Sequence, residues 1–203
     1  MFSENEIATM VEIPEVMEAT IAVRKEFIEN EVSMLEISEH DFLSLIMMTP
    51  AIGMALANGS MSLFEELALN KLARKMSKGG YFLKVDPVAH AMKYVMKNFD
   101  RWEGPFYNVI NLCMNSTFDR KKLLEVRSCG IEDPIKCLAR DLMEVPYIFV
   151  RFLSILILND ESDILGHRSI SRVEFDKIKD VGNKMNISEV PAFKSFLNTF
   201  EVK

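Results

Sequence analysis

Two stretches of this chain, NGSMSLFEEL at residues 58–67 and HRSISRVEFD at residues 167–176, follow one pattern. Each has a serine, an apolar residue, a second serine and, three residues later, a glutamate. Serine is favoured at the N-cap of a helix, and a negative charge is favourable in the first helical turn. The pattern therefore predicts one helix capped by Ser60 or Ser62 and another capped by Ser169 or Ser171.

The similarity extends beyond these two stretches. When Ser60 is aligned with Ser169, the identical pairs are Ser60/Ser169, Ser62/Ser171, Glu65/Glu174, Lys75/Lys184 and Met76/Met185. An apolar run that begins Phe-Leu-Ser precedes both stretches. The recurring order of apolar helix, loop and capped helix indicates an internal duplication. Chance agreement is the alternative, because apolar spacing alone aligns any two amphipathic helices.

The composition predicts an all-α fold, a multi-helix globular bundle with two similar helical units. Nearly half of the 203 residues are apolar, whereas only 8 are glycine and 7 are proline. We expect an N-terminal amphipathic helix in residues 1–37, a first unit in 38–115, connecting helices in 116–144 and a second unit in 145–203. These parts would form one compact domain or two tightly packed lobes.

Several helix boundaries follow from capping residues and proline. Ser38 is a candidate N-cap, and the pairs Asp86-Pro87 and Asp133-Pro134 combine a cap with proline at the first helical position. Pro50 predicts a kink in the apolar helix before residue 58. We expect the segment WEGPFYNVINLCM, residues 102–114, to be a turn that enters another apolar helix, and the last helix to run from Ser188 to Phe200. In the helix after Ser62, the predicted inner side is Phe64, Leu67, Leu69, Leu72 and Met76.

Charge and cysteine content limit the function classes. The formal net charge is −6 and no basic stripe is evident in the sequence, so a general nucleic-acid binder is not expected. The apolar run at residues 145–158 contains Arg151 and is too short to span a bilayer. The three cysteines lack metal-binding spacing, and the acidic N-terminus does not match a signal peptide. We expect a cytoplasmic protein.

The second half of each loop offers a candidate cation site. Gly59, Met61, Ser62 and Glu65 fall where an EF-hand has its turn glycine, apolar residue, hydroxyl ligand and bidentate glutamate. The first half of the loop does not fit, because Met54 and Leu56 stand where the motif places oxygen ligands. An EF-hand is therefore not expected, and the two glutamates could equally serve only the first turns of their helices.

The segment ALANGSMSLFEELALNKLA, residues 55–73, resembles the tellurite-resistance protein B-like (TerB-like) helical domain, in which an apolar helix ends in an Asp-Gly-x-Ile-Ser-x-x-Glu type of loop. Asn58 and His167 stand where that family has its loop aspartate. The resemblance implies a helical fold and, as in some members, binding of a divalent cation through acidic residues. The candidate ligands on this chain are Asn58, Glu65, Asp160, Asp163 and Glu174.

A third candidate site is the aromatic segment RWEGPFY at residues 101–107. Its residues Trp102, Phe106 and Tyr107 could form an exposed anchor for a protein partner, or an aromatic plug between the two lobes.

No catalytic motif is apparent. The histidines His40, His90 and His167 are far apart in sequence, and phosphate-loop, dinucleotide and nucleophile-elbow motifs are absent from the sequence. We therefore expect a non-enzymatic helical protein-binding module, such as an adaptor, regulator or assembly chaperone-like factor, with a protein partner or a homo-oligomer. No cofactor is expected. The alternative is a TerB-like stress-response protein that binds a divalent cation.

Overall fold

The computed structural model describes residues 2–79, 86–125, 132–157 and 164–203. These residues form twelve α-helices and one sheet of two short strands. The predicted all-α, multi-helix globular fold is confirmed.

The helices of the N-terminal half are α1 (Glu4–Val11), α2 (Pro14–Glu31), α3 (Glu39–Met47), α4 (Thr49–Ala55), α5 (Leu63–Met76) and α6 (Pro87–Lys97). The remaining helices are α7 (Phe99–Thr117), α8 (Arg120–Glu125), α9 (Pro134–Met143), α10 (Tyr147–Ser154), α11 (Arg172–Lys184) and α12 (Pro191–Leu197). Strands β1 (Arg168–Ile170) and β2 (Phe200–Val202) pair in parallel, with Ile170 opposite Val202.

Capping residues begin the helices where the sequence predicts them. Ser38 caps α3 through its hydroxyl, and Asp86 and Asp133 accept backbone hydrogen bonds at the starts of α6 and α9. Pro50 lies in the first turn of α4, where its missing N–H needs no partner. The predicted kink is therefore a break at Met48, between α3 and α4.

Two predicted boundaries are wrong. Residues 102–114 do not begin with a turn, because α7 runs from Phe99 through Pro105 to Thr117. Gly104 carries no Cβ to meet the proline ring, and the buried face of α7 offsets the lost backbone bond. The last helix does not run from Ser188 to Phe200, since α12 ends at Leu197 and Phe200 begins β2.

Two helices, α1 and α2, lie where the sequence predicts one N-terminal amphipathic helix. The first helix begins with a capping box, in which the Ser3 backbone N–H donates to Glu6 Oε2 at 2.7 Å.

The strand β2 was also not predicted. It forms because it pairs with β1, which lies about 30 residues earlier in the sequence. Such long-range pairing leaves little trace in local sequence.

An aromatic cluster joins α2, α3 and α7 at the centre of the core. Phe27 packs edge-on against Trp102 with ring centroids 4.9 Å apart, and Phe42 packs edge-on against Phe106 at 5.8 Å. All four rings are fully buried. Helix α3 is buried on every side, as its mostly apolar sequence predicts, and α1, α2, α4, α5, α6 and α7 pack against it.

Buried polar groups fix the C-terminal end of α5. Ser44 Oγ on α3 donates to the Met76 carbonyl at 2.9 Å, and the Lys78 N–H donates to Asp41 Oδ1 at 2.8 Å. Ser77 Oγ donates to Asp86 Oδ2 at 2.9 Å and so links this end to the start of α6. The bond from Ser44 satisfies a carbonyl that the helix end leaves without an intrahelical partner. Helices α5 and α6 are therefore held together as one hairpin against α3.

The close approach of α11 and α12 depends on a glycine. A Cβ on Gly182 would lie 2.3 Å from Phe193 Cζ and 2.4 Å from Phe193 Cε1. Both residues are buried, and Phe193 packs beside Phe196. The absence of a side chain at residue 182 lets the phenylalanine ring lie directly on the α11 backbone.

We expect Gly182→Ala to lower the free energy of unfolding by about 1–3 kcal/mol, because the methyl group would overpack the contact with Phe193. This loss should exceed the gain of up to about 1 kcal/mol in helix propensity. Urea denaturation measures the change. Lys179→Ala, on the exposed side of the same helix, is the control and should stay within about 0.5 kcal/mol. An unchanged or raised midpoint for Gly182→Ala would contradict this packing.

Candidate functional site

The two serine–glutamate patterns form two matching capping boxes. Ser62 N–H donates to Glu65 Oε2 at 2.7 Å, and Ser171 N–H donates to Glu174 Oε2 at the same distance. In return each serine Oγ accepts from the backbone N–H of its glutamate, at 3.3 and 3.2 Å. The second serine of each pattern is thus the cap, and each glutamate begins its helix.

This geometry gives Glu65 and Glu174 a structural task. One oxygen of each carboxylate already accepts bonds from the serine N–H and hydroxyl. Asn58 is exposed, and Asp160 and Asp163 lie outside the described residues. In residues 2–79, 86–125, 132–157 and 164–203, no group of three or more His, Cys, Asp or Glu could hold a metal ion. Cation binding by the five candidate ligands stays a prediction.

The aromatic candidates Trp102, Phe106 and Tyr107 lie in the core. Trp102 and Phe106 are fully buried and Tyr107 is 3% exposed. The indole N–H of Trp102 donates to Glu31 Oε1 at 2.9 Å, and Asn98 Nδ2 donates to Glu31 Oε2 at 2.6 Å. These side chains do not form an exposed anchor, because their apolar surface is used to join α2, α3 and α7. Their burial agrees with the alternative that these residues form an aromatic plug in the core.

A charged cluster ties α7 to α11. Lys184 Nζ lies 2.7 Å from Glu103 Oε2 and 2.8 Å from Asp180 Oδ2, and Lys177 Nζ lies 3.1 Å from Glu103 Oε1. The Lys184 ammonium also lies 6.0 Å from the ring centroid of Tyr107. Because Glu103 comes from α7 and the other charges come from α11, the cluster links the N-terminal part of the bundle to the predicted second unit.

The cluster shifts the pKa values of its members. Burial raises the pKa of Asp180, but the hydrogen bonds and charges of Lys184 and Lys177 together outweigh burial and hold that pKa below its ordinary value of 3.8. Burial lowers the pKa of Lys184, but bonds to Asp180 and Glu103 raise it overall. Burial, followed by the charges of Glu103 and Asp180, raises the pKa of Tyr107 well above its ordinary value. The arrangement therefore stabilises the charged forms of Asp180 and Lys184.

The histidines take three separate environments. His40 is buried, with Nε2 3.1 Å from the Glu4 carbonyl and Nδ1 3.4 Å from Asp41 Oδ1. His90 is half-buried against the edge of Tyr94, and His167 is exposed. Within the described part of the chain, His40 makes the one ion-pair contact between a histidine and a carboxylate. Its two partners lie in α1 and α3, so this histidine joins two helices.

Comparisons of the chain with protein-family models, curated proteins and solved structures found no match. Among the described residues, none of the helices is both long and apolar enough to cross a membrane. The TerB-like resemblance and the duplication stay predictions.

The start of α5 carries an apolar surface that faces solvent. Leu63, Phe64 and Leu67 are 68%, 80% and 57% exposed. We call these three residues the α5 apolar face. The expectation that Phe64 and Leu67 lie on the inner side of this helix is wrong, whereas Leu69, Leu72 and Met76 are buried as predicted.

Helical geometry explains this orientation. Leu69, Leu72, Ala73 and Met76 follow one stripe with spacings of three and four residues and are buried against the core. At about 100° per residue, Leu67 points to roughly the opposite side of the helix. A helical-wheel projection would have found two apolar stripes on α5, although it would not have shown which of them the core covers.

The matching positions on α11 differ in character. Arg172, Val173 and Asp176 stand where α5 has Leu63, Phe64 and Leu67 in the alignment of the two patterns. Arg172 Nε lies 3.1 Å from Asp176 Oδ2, so these two residues form an exposed ion pair. Two helices with the same capping box therefore present different outer faces, one charged and one apolar.

Removal of the caps tests their structural role. Ser62→Ala and Ser171→Ala should each lower the free energy of unfolding by about 1 kcal/mol, because backbone donors at the helix start lose their acceptor. Urea denaturation measures the loss. Ser60→Ala, which removes the serine that does not cap, is the control. Equal losses for Ser60→Ala and Ser62→Ala would contradict the assignment of the cap.

A thermal melt tests the cation hypothesis. Chelator-stripped protein is melted with excess Ca²⁺, Mg²⁺, Mn²⁺ or Zn²⁺, since a ligand at 100 times its Kd stabilises a fold by about 2.7 kcal/mol. From the capping geometry we expect no shift that depends on Glu65 and Glu174. A shift with one ion that is lost in the Glu65→Ala and Glu174→Ala double variant would support cation binding instead.

The charged cluster predicts a pH dependence of stability. Because the pKa of Asp180 is lowered in the folded protein, its contribution is complete above the ordinary value of 3.8 and is lost as pH falls through the lowered value. Asp180→Asn should therefore be less stable than wild type near neutral pH, and the difference should shrink below about pH 4. Urea midpoints from pH 6 to pH 3 measure it. Asp176→Asn is the matched control, and a difference that does not change with pH would contradict the prediction.

Proposed function

We propose that this protein is a non-enzymatic, helical protein-binding module whose contact surface includes the α5 apolar face. The observation that carries the proposal is the exposure of Leu63, Phe64 and Leu67 together at the start of one helix. Exposed apolar side chains that occur singly need no explanation, but a contiguous group of large ones is typical of an interaction site.

The size of the side chains supports this assignment. Burial of a leucine or phenylalanine side chain contributes about 1.5–3 kcal/mol relative to its exposed state. Three such side chains would contribute several kcal/mol to association, before the loss of rotational and side-chain freedom is subtracted. Phenylalanine is among the aromatic residues that are enriched in the buried cores of protein interfaces.

The loop before α5 is also less covered than its counterpart before α11. Strand β2 covers β1, and the Lys203 N–H donates to the Ile170 carbonyl at 3.0 Å. Met61 matches Ile170 in the alignment but belongs to no strand among the described residues. Asn58, Gly59, Ser60 and Ser62 in this loop are exposed, whereas Met61 is partly buried against the core. The exposed loop residues and the start of α5 are accessible, which suits a role as a contact surface.

The proposal includes a cytoplasmic location and a partner that is another protein or a second copy of this chain. The cytoplasmic location rests on the low number of cysteines and their spacing, which favour a reducing compartment. Adaptor, regulator and assembly factor are the roles that fit a module of this kind.

A double variant that copies the outer face of α11 tests the proposal. Leu63→Arg with Leu67→Asp places on α5 the charged pair that α11 carries at the matching positions. Both positions are exposed, so the melting temperature should change little. Tagged wild-type and variant proteins are incubated with extract from the source cells, and retained proteins are quantified by mass spectrometry.

We expect at least one protein to be retained by the wild type and lost by the double variant. Val173→Asp changes the exposed apolar residue at the matching position of α11 and should keep that partner. Sedimentation velocity of both proteins shows whether a second copy is the partner. Identical retained sets, with both proteins monomeric, would count against a binding role for the α5 apolar face.

A further inference from the structure

The outward side of α5 changes from apolar to basic along its length. Lys71 and Arg74 are exposed and follow Leu63 and Leu67 on the same side of the helix, at spacings of four, four and three residues. With a rise of about 1.5 Å per residue, Arg74 lies about 10 Å beyond Leu67 along the axis. One continuous stripe therefore carries an apolar half and a basic half.

Helix α6 carries two further exposed cations. It packs against α5, and its exposed residues Lys93 and Lys97 are one helical turn apart. Residues 63–79 and 86–97 contain three acidic residues, Glu65, Glu66 and Asp86, and six basic residues, Lys71, Arg74, Lys75, Lys78, Lys93 and Lys97. The whole chain has a formal net charge of −6, so the α5–α6 hairpin is a basic region of an acidic protein.

The exposed basic residues of the hairpin differ from the basic residues of α11 in whether they form ion pairs. Lys71, Arg74, Lys93 and Lys97 form no ion pair with any residue that the structure describes. On α11, by contrast, Arg172, Lys177 and Lys184 each have a carboxylate within 3.1 Å. The hairpin thus leaves positive charge available beside an exposed apolar face.

We propose that the partner of this surface is an acidic amphipathic helix of another protein. Its apolar residues, spaced by three and four, contact Leu63, Phe64 and Leu67, and its carboxylates face Lys71 and Arg74 about one to two turns further along. The proposal rests on the proposed function and adds the chemistry of the partner. The observation that selects an acidic partner is the exposed positive charge of Lys71 and Arg74, which lie on the same side of α5 as the apolar face.

Two other occupants fit the surface less well. A nucleic acid or an anionic membrane spreads its negative charge evenly and would place part of it beside Glu65 and Glu66, whereas a helix can place its carboxylates beside Lys71 and Arg74 alone. A second copy that paired α5 with α5 through the apolar face would bury three large side chains per chain, whereas a stable interface buries about 800 Å² per partner. An acidic helix satisfies both halves of the stripe at once.

A peptide selection tests the chemistry of the partner. A phage-displayed library of helical peptides is selected on the full-length wild-type protein and counter-selected on the Leu63→Arg, Leu67→Asp variant. We expect selected peptides to combine apolar residues at i, i+3 or i+4 and i+7 with a net negative charge. Binding of a synthetic selected peptide is then measured by fluorescence anisotropy at two salt concentrations.

A charge-reversal variant tests the contribution of the basic half of the stripe separately from that of the apolar half. Lys71→Glu with Arg74→Glu should weaken peptide binding by about tenfold or more at low salt and by less at high salt, because exposed charge pairs are screened. Lys179→Glu, at an exposed lysine of α11, is the matched control and should bind as the wild type does. Thermal melts of both charge variants confirm that they are folded.

The remaining outcomes overturn the inference in distinguishable ways. Selected peptides that are neutral or basic, or binding that is insensitive to Lys71 and Arg74, would reject an acidic partner and leave the proposed function intact. No enrichment over the counter-selected variant would reject a helical partner. A fluorescent 20-base oligonucleotide that binds wild type and the leucine variant equally would show a polyanion site. A dimer that the leucine variant abolishes would show a second copy as the occupant.

Discussion

The contact of Trp102 with Phe27 and Glu31 is the interaction on which the arrangement of the long helices depends. The indole ring is fully buried against Phe27, while its N–H donates to a carboxylate at the end of α2. A buried indole requires an acceptor for its N–H, so burial and hydrogen bonding together fix how α2 lies on α7. Phe42 and Phe106 extend this cluster to α3, around which the other helices of the N-terminal half and α7 pack.

From this centre, polar bonds between helix ends determine which surfaces remain exposed. The bonds of Ser44 and Asp41 to the end of α5, and of Ser77 to Asp86, hold the α5–α6 hairpin against α3 in one orientation. That orientation buries Leu69, Leu72 and Met76 and leaves the α5 apolar face and the basic residues outside. The proposed binding surface is therefore a consequence of how the end of α5 is secured.

The two helices with matching capping boxes show how similar local sequence can serve different purposes. Both begin with the same reciprocal bonds between serine and glutamate. The outer side of α11 carries an ion pair, and its inner side joins the charged cluster around Glu103. Most charged residues of α11 therefore form ion pairs within the protein. The outer side of α5 has apolar residues and exposed cations instead. This contrast is the main support for a role of α5 in binding.

Local sequence was sufficient to predict the helical class and most helix starts, because capping and proline placement depend on residues within one turn. It identified Ser62, Ser171, Asp86 and Asp133 as starts or near alternatives. Local sequence did not predict features that depend on distant residues. Helix α7 continues through Pro105 because its apolar face is packed against the core, and Phe200 lies in β2, which pairs with β1, instead of in the last helix. Likewise α5 has two apolar stripes in sequence, and only packing against α3 shows which one is buried. Burial of Trp102 and exposure of Phe64 were therefore settled by tertiary contacts, since hydrophobicity alone specifies that a side chain favours burial but not which partner provides it.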